Sequence, residues 1–231
     1  MIKRYLAPAL LAMAATLLGS CVTNTSTGKQ NFGIGSIKSE RESVRRIHEQ
    51  IVKAYGLYDD QAVQDYVNEV GTRVTHQSDM PDAEFKFYVV DQDSVNAFTT
   101  GCCNVYVHRG LLLKLNSEAE LASVLGHESG HVTARHPARQ QAKGILASIG
   151  TAAAAILTGS QAVAELANMG AGAWFQGYGR ENEMEADRLG LLYATKAGYR
   201  PEAMGEVFKL FKADEHFEID RARAEGREPR I

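Results

Sequence analysis

Apolar and polar positions along this chain fall into helical and strand-like patterns that switch at glycines and prolines. Ser39 caps a predicted helix running to about Tyr55, with Glu40 and Glu42 in its first turn where the helix dipole favours acidic groups, and Gly56 ends it. A second helix starts at Asp59 or Asp60 and carries Val63, Tyr66, Val67, Val70 and Val74 at helical spacing. Pro81 breaks that pattern. Phe85 to Val90 then reads as an aromatic and β-branched strand, and Asn96-Ala97-Phe98 and Asn104 to Val107 as two more around Gly101. Gly110 leads into a short apolar helix ending near Asn116. Ser117 caps the next helix, Glu120 completes a capping box, and Pro137 marks the end or a kink. Arg180 to Lys196 is again helical, and Pro201 opens a last helix through about Arg223.

Two stretches stand apart. Lys3 and Arg4 followed by the apolar run Leu6 to Leu18, too short to span a bilayer comfortably, have the form of an export signal. Leu18-Gly19-Ser20-Cys21 resembles a bacterial lipobox, which implies cleavage before Cys21 and lipidation of that residue; an ordinary secretory peptide is the alternative. Val22, not being aspartate, favours sorting to the outer membrane. Val22 to Ser36 lacks periodicity and reads as a flexible tether. The resulting division is a leader over 1–20, a lipidated tether over 21–38 and a single domain over 39–231. The second stretch, Ala142 to Ala173, is rich in Ala and Gly and has no charge between Lys143 and Glu165. It predicts a pair of small-residue helices packed on the domain, with a membrane span as the alternative.

A chain of 231 residues, 45% apolar, suits one globular domain with a sizeable core. The net charge of −3 gives no basic surface, which argues against a nucleic-acid partner. Cys102 and Cys103 are adjacent and lack a second pair to complete a metal site, so two reduced or partly buried thiols are expected ahead of a vicinal disulfide.

The chemistry centres on His127-Glu128-Ser129-Gly130-His131, an HExxH pattern within a predicted helix. A spacing of four brings both imidazoles to one helix face, about 6 Å apart along the axis, which suits two ligands of one tetrahedral Zn²⁺. Glu128, offset by one, can reach a water on the metal. A third ligand is then required. His136 does not fit the longer HExxHxxGxxH pattern, because Ala134 and Pro137 occupy the glycine and histidine places, and it reads as a helix-end or structural histidine. Downstream, Glu183 and Asp187 are four apart on one helix face, and Glu185 points nearly away from both. One of that pair can bind the metal while the other orients a ligand histidine through its free ring nitrogen.

With these residues in view, the chain resembles the HtpX/Oma/CAAX-protease type of metallopeptidases, peptidase family M48, and especially its periplasmic lipoprotein and BepA-like branch. The stretches that carry the resemblance are Asn96-Ala97-Phe98, Gly110-Leu111-Leu112, Glu118 to His136 and Arg180 to Gly190. It implies an α+β fold: a mainly helical gluzincin-type metalloprotease domain with a small three-stranded sheet beside the active-site helix. It implies one Zn²⁺ per chain held by His127, His131 and Glu183, with Glu128 as catalytic base and Asp187 holding a ligand histidine. It further implies that Asn104 to Val107 is the sheet edge on which an extended substrate pairs, with Asn96, Asn104, Val105 and Tyr106 as substrate-binding residues. The turn Thr100-Gly101-Cys102-Cys103 departs from the Pro-Gly-Gly-like turn of relatives. The expected activity is zinc-dependent endopeptidase action on extended or unfolded proteins, outer-membrane proteins among them, on the periplasmic face of the outer membrane. The alternative is a chaperone-like assembly factor of the cell envelope with little or no proteolysis, or a membrane-embedded protease that uses the Ala/Gly run as a span.

Overall fold

The computed structural model describes residues 21–32, 37–140 and 178–229. The leader, residues 1–20, and the Ala/Gly-rich run, 142–173, lie outside the described residues. Among the described residues no helix is long and apolar enough to cross a membrane.

Two short strands, β1 (Cys21–Thr23) and β2 (Gln30–Phe32), pair antiparallel around a turn at Gly28. The sequence pattern suggests a flexible tether here, yet residues 21–32 form a hairpin whose turn bonds to the domain: the Thr25 amide donates to the Thr133 carbonyl at 3.2 Å. Hydrogen bonding of this kind leaves no hydrophobic period for a sequence reading to detect.

Helix α1 (Ile37–Tyr55) ends where Gly56 turns left-handed at φ +73°. Helix α2 (Gln61–Thr75) is capped by Asp60, whose carboxylate accepts from the Ala62 and Val63 amides. Strands β3 (Lys86–Val90), β4 (Ala97–Gly101) and β5 (Asn104–His108) follow, and their order across the sheet is β3-β5-β4. β3 runs parallel to β5, and β4 runs antiparallel to it. A short helix, α3 (Arg109–Leu112), leads to α4 (Glu118–Thr133). Ser117 caps α4 through the Glu120 amide, while Glu120 reaches back one residue further than a capping box requires, to the Asn116 amide at 2.8 Å. Helix α4 stops before Arg135, which takes φ +62°, and helical conformation resumes at His136. Helices α5 (Arg180–Lys196) and α6 (Glu202–Glu225) complete the fold.

This is the expected α+β architecture. The sheet lies between two helical layers because its strands are apolar on both faces. Phe87, Val89, Val105 and Val107 join Val67, Val70 and Val74 of α2 and Leu121 and Leu125 of α4 in the main core. Tyr88, Tyr106 and Phe98 pack on the other face against Ile47, Ile51 and Tyr55 of α1.

The strand order moves the open edge. β5 is paired on both sides, and Val105 and Tyr106 are fully buried, so Asn104 to Val107 is not the edge that the resemblance implies. A parallel partner for β5 cannot be read from strand periodicity, and that partner makes β5 central. The outer side of β3 is closed as well. The Gln64 side chain exchanges two hydrogen bonds of 2.9 Å with the Val89 backbone, and the Asn68 side chain does the same for Phe87 at 2.6 and 3.1 Å. Among the described residues no strand pairs with the outer side of β4, which packs directly on α4.

The turn after β4 holds a further difference. Cys102 and Cys103 are joined as a disulfide across a cis peptide bond, where reduced thiols are the expectation from sequence. Both are buried with Met80, Val132 and Ala83, an apolar enclosure that the sequence gives no means to see.

Candidate active site

The site is made where α4 crosses α5, and small residues set how closely they cross. On α4, Gly126 and Gly130 are four apart; on α5, so are Ala186 and Gly190. A Cβ placed on Gly190 would stand 2.5 Å from the His127 amide nitrogen, and one on Gly130 would stand 2.9 Å from the Ala186 carbonyl oxygen. Backbone therefore rests on backbone, and His127 and His131, each one position after a glycine of α4, meet the Glu183 and Asp187 side chains of α5. These small residues escape a reading focused on chemistry, although their i, i+4 spacing on both helices is visible in the sequence.

Glu183 of α5 faces both histidines of α4. Its carboxylate oxygens lie 3.5 Å from His127 Nε2 and 3.8 Å from His131 Nε2, and the two imidazole nitrogens are 3.0 Å apart. Ligand atoms around a tetrahedral zinc, each about 2.0–2.2 Å from the ion, stand about 3.3 Å from one another. The separations, measured to one Glu183 oxygen for each histidine, are near that spacing, and among the described residues the three side chains form the one cluster of this kind, each offering a ligand atom within 4.8 Å of the others. Two imidazoles and a carboxylate also suit a borderline divalent cation chemically.

Asp187 stands where it can hold the first ligand: its Oδ1 is 2.9 Å from His127 Nδ1. This bond makes Nδ1 the protonated nitrogen and aims Nε2 at Glu183. The Tyr178 ring stacks on the His131 ring, with centroids 4.1 Å apart, and covers that imidazole on one face.

The electrostatics divide the two histidines. Burial disfavours a charged His127, but hydrogen bonds to Asp187 and Glu183 and the nearby Glu128 charge overcome it and raise its pKa to about 10. His131 is held neutral mainly by burial, with the charge on His127 adding to the effect. Glu128, only 8% exposed, is pushed up to about 7, mainly by burial, with His127 lowering it and Glu183 adding to the rise. A carboxyl that titrates near neutrality can exchange a proton in either direction, as a general base requires. A cation bound next to it would draw that value down again.

His127, Glu128, His131, Glu183 and Asp187 are therefore brought together. Of the sheet residues, Asn104 donates to the Tyr106 hydroxyl at 3.3 Å inside the sheet, and Asn96 precedes β4, its carbonyl accepting from the His108 amide. Two residues given no chemical role by the sequence pattern adjoin the site. His136 Nδ1 lies 2.9 Å from His131 Nδ1, and Glu185 Oε2 lies 3.0 Å from His136 Nε2. Their signal was present but unusable, because the return of the chain at Arg135 decides where His136 points.

Comparison with known proteins agrees with this geometry. The model of Peptidase family M48 matches residues 61–224. The chain is 36% identical over 157 residues to a beta-barrel assembly-enhancing protease of Yersinia pestis, covering 64% of this chain and 32% of that protein. It is 30% identical over 184 residues to the protein of the same name from Escherichia coli, covering 76% and 36%. It is 27% identical over 194 residues to the mitochondrial metalloendopeptidase OMA1 of Schizosaccharomyces pombe, covering 82% and 57%. The chain thus spans about a third of the length of the bacterial assembly-enhancing relatives. On the family match and the metal-ligand cluster together, the chain belongs to peptidase family M48, a family of metalloproteases.

Proposed function

We propose that this chain is a zinc-dependent endopeptidase of the bacterial cell envelope that hydrolyses extended segments of misfolded or unassembled envelope proteins. The observation that carries the reading is the convergence of His127, His131 and Glu183 with Glu128 adjoining on the same helix. Bound by those three residues, zinc would acidify a water molecule and polarise the scissile carbonyl. Glu128 takes the proton of the attacking water and delivers it to the leaving amine, a role suited to a buried carboxyl poised near neutral pH. Asp187 keeps the lone pair of His127 Nε2 directed at the site.

A peptide would lie along the outer side of β4. Residues alternate inward and outward along an antiparallel strand, and the His108 amide bonds to the Asn96 carbonyl, so Ala97 and Thr99 turn their backbone groups outward. Pairing there would present an extended chain beside α4 in one register, as strand addition does elsewhere. The leader of Lys3, Arg4 and Leu6 to Leu18, ending at Cys21, supports a lipid-anchored protein at the periplasmic face of the outer membrane. The name of the bacterial relatives supports unassembled outer-membrane proteins as substrates.

The test is Glu128→Gln. The variant should bind zinc as the wild type does and lose about 10²–10⁴-fold in cleavage of an unfolded protein such as casein. Wild-type cleavage by that variant would overturn the mechanism. Zinc-loaded wild type without cleavage, but holding unfolded envelope proteins in solution, would instead establish the chaperone-like assembly role.

A further inference from the structure

The two candidate ligand histidines are held in different ways. His127 reaches a carboxylate directly through Asp187. His131 does not. Its Nδ1 faces His136 Nδ1 at 2.9 Å, His136 Nε2 faces Glu185 Oε2 at 3.0 Å, and Glu185 Oε1 accepts from Asn24 Nδ2 at 2.9 Å.

Only one arrangement of protons satisfies this chain with His131 as a ligand. If His131 Nε2 keeps its lone pair for the metal, its Nδ1 carries the hydrogen and donates to His136 Nδ1. His136 Nδ1 must then be an acceptor, so its hydrogen sits on Nε2 and points to Glu185. Glu185 accepts there and accepts again from Asn24. The amide of Asn24 is oriented independently, since its Oδ1 already accepts from the Ser26 and Thr27 amides at 2.9 and 3.1 Å, leaving Nδ2 to donate. His136 is completely buried and Asn24 is 2% exposed, so neither can exchange these partners for water.

We infer that His136, Glu185 and Asn24 are positioning residues that fix the tautomer and ring angle of His131, and that the hairpin of residues 21–32 is through Asn24 a working part of the metal site. This rests on the reading of His127, His131 and Glu183 as zinc ligands. The hairpin is well placed for it. The Asn24 side chain reaches Glu185 of α5, Thr25 and Ser26 hold the end of α4 through the Thr133 carbonyl and hydroxyl, and Ser26 also reaches the Tyr193 hydroxyl. A carboxylate that turned freely to solvent could not orient an imidazole; Asn24 pins Glu185 on the side away from His136. The segment directly following Cys21 is thereby tied to a ligand histidine.

The experiment measures the zinc dissociation constant by chelator competition on the full chain, for wild type, His136→Phe, Glu185→Gln and Asn24→Ala. The melting temperature of each chelator-treated protein and the visible absorption of each Co²⁺-loaded protein are recorded beside it. Partners of ligand histidines contribute about 10–100-fold to metal affinity. His136→Phe should weaken zinc by that factor, Glu185→Gln less and Asn24→Ala least, with the Co²⁺ bands shifting in the same order. If His136→Phe fails to fold, the other two variants decide. A lower melting temperature with zinc affinity and Co²⁺ bands intact would make the network a brace and overturn the inference. Wild type that binds no zinc would instead overturn the metal reading itself.

Discussion

At the scale of residues, the site is a contest for one position between a proton and a metal. His127 and His131 point their Nε2 atoms at each other across 3.0 Å, and two lone pairs would repel at that distance. A proton on His127, whose pKa is raised to about 10, resolves it by donating to neutral His131. On the proposed reading, a zinc ion held by these residues would take the place of that proton. Titration with zinc at pH 8, in buffers of different ionisation enthalpy, should therefore report release of about one proton per zinc bound; no release would contradict the assignment. Glu128 gives a second prediction. Its pKa lies near 7 when folded against 4.5 for the free side chain, so folding takes up a proton. The stability it contributes is present at low pH and is lost as pH rises through 7. In chelator-treated protein, Glu128→Gln should gain on wild type between pH 5 and pH 8, by at most about 3 kcal/mol. Denaturant melts at the two pH values measure it. A gain that shrinks toward pH 8 would reverse the sign and reject the account.

At the scale of elements, the crossing of α4 and α5 is what converts sequence motifs into a site. The helices themselves were legible. Arg180 to Lys196 matches α5, and the Ser117 cap starts α4 where expected, because caps and helical period are local properties. That the Glu183 face of α5 meets the His127 face of α4 was not contained in either helix alone; it came from a family resemblance. The physical cause is the pair of small-residue faces. Gly190→Ala should push a methyl group into the His127 backbone, cost about 1–3 kcal/mol and weaken zinc binding. Gly205→Ala on α6 is the control. Its Cβ meets nothing within 4 Å, so it should leave zinc unchanged and raise stability by about 1 kcal/mol. Equal behaviour of the two variants in melts and zinc titration would remove the close crossing from the explanation. The sheet was legible to a lesser degree. All three strands were readable from β-branched and aromatic residues, but their order was not, because β5 pairs in parallel with β3 although β4 lies between them in the chain.

At the scale of the whole molecule, the outer side of β4 pairs with no strand among the described residues, and β4 packs on α4, the helix that carries both histidines. Gln64 and Asn68 close the β3 side with side-chain amides that imitate a neighbouring strand, which protects the sheet from unwanted pairing. Nothing comparable bonds to the outer side of β4 among the described residues. Ala97→Pro removes one outward amide while keeping the inward pairing of Phe98, a placement that edge strands accept. It should lower kcat/KM for an unfolded substrate roughly tenfold, the worth of one hydrogen bond, with zinc content unchanged. An unaltered kcat/KM would move the peptide elsewhere. The hairpin of residues 21–32 extends the same logic to the N-terminal side, because it packs on the end of α4 and against Glu185 of α5.

The most direct measurement is anomalous scattering at the zinc absorption edge from crystals grown with zinc. One peak is predicted per chain, about 2.0–2.2 Å from His127 Nε2, His131 Nε2 and a carboxylate oxygen of Glu183. A peak bound by other residues, or none between these three, would contradict the account.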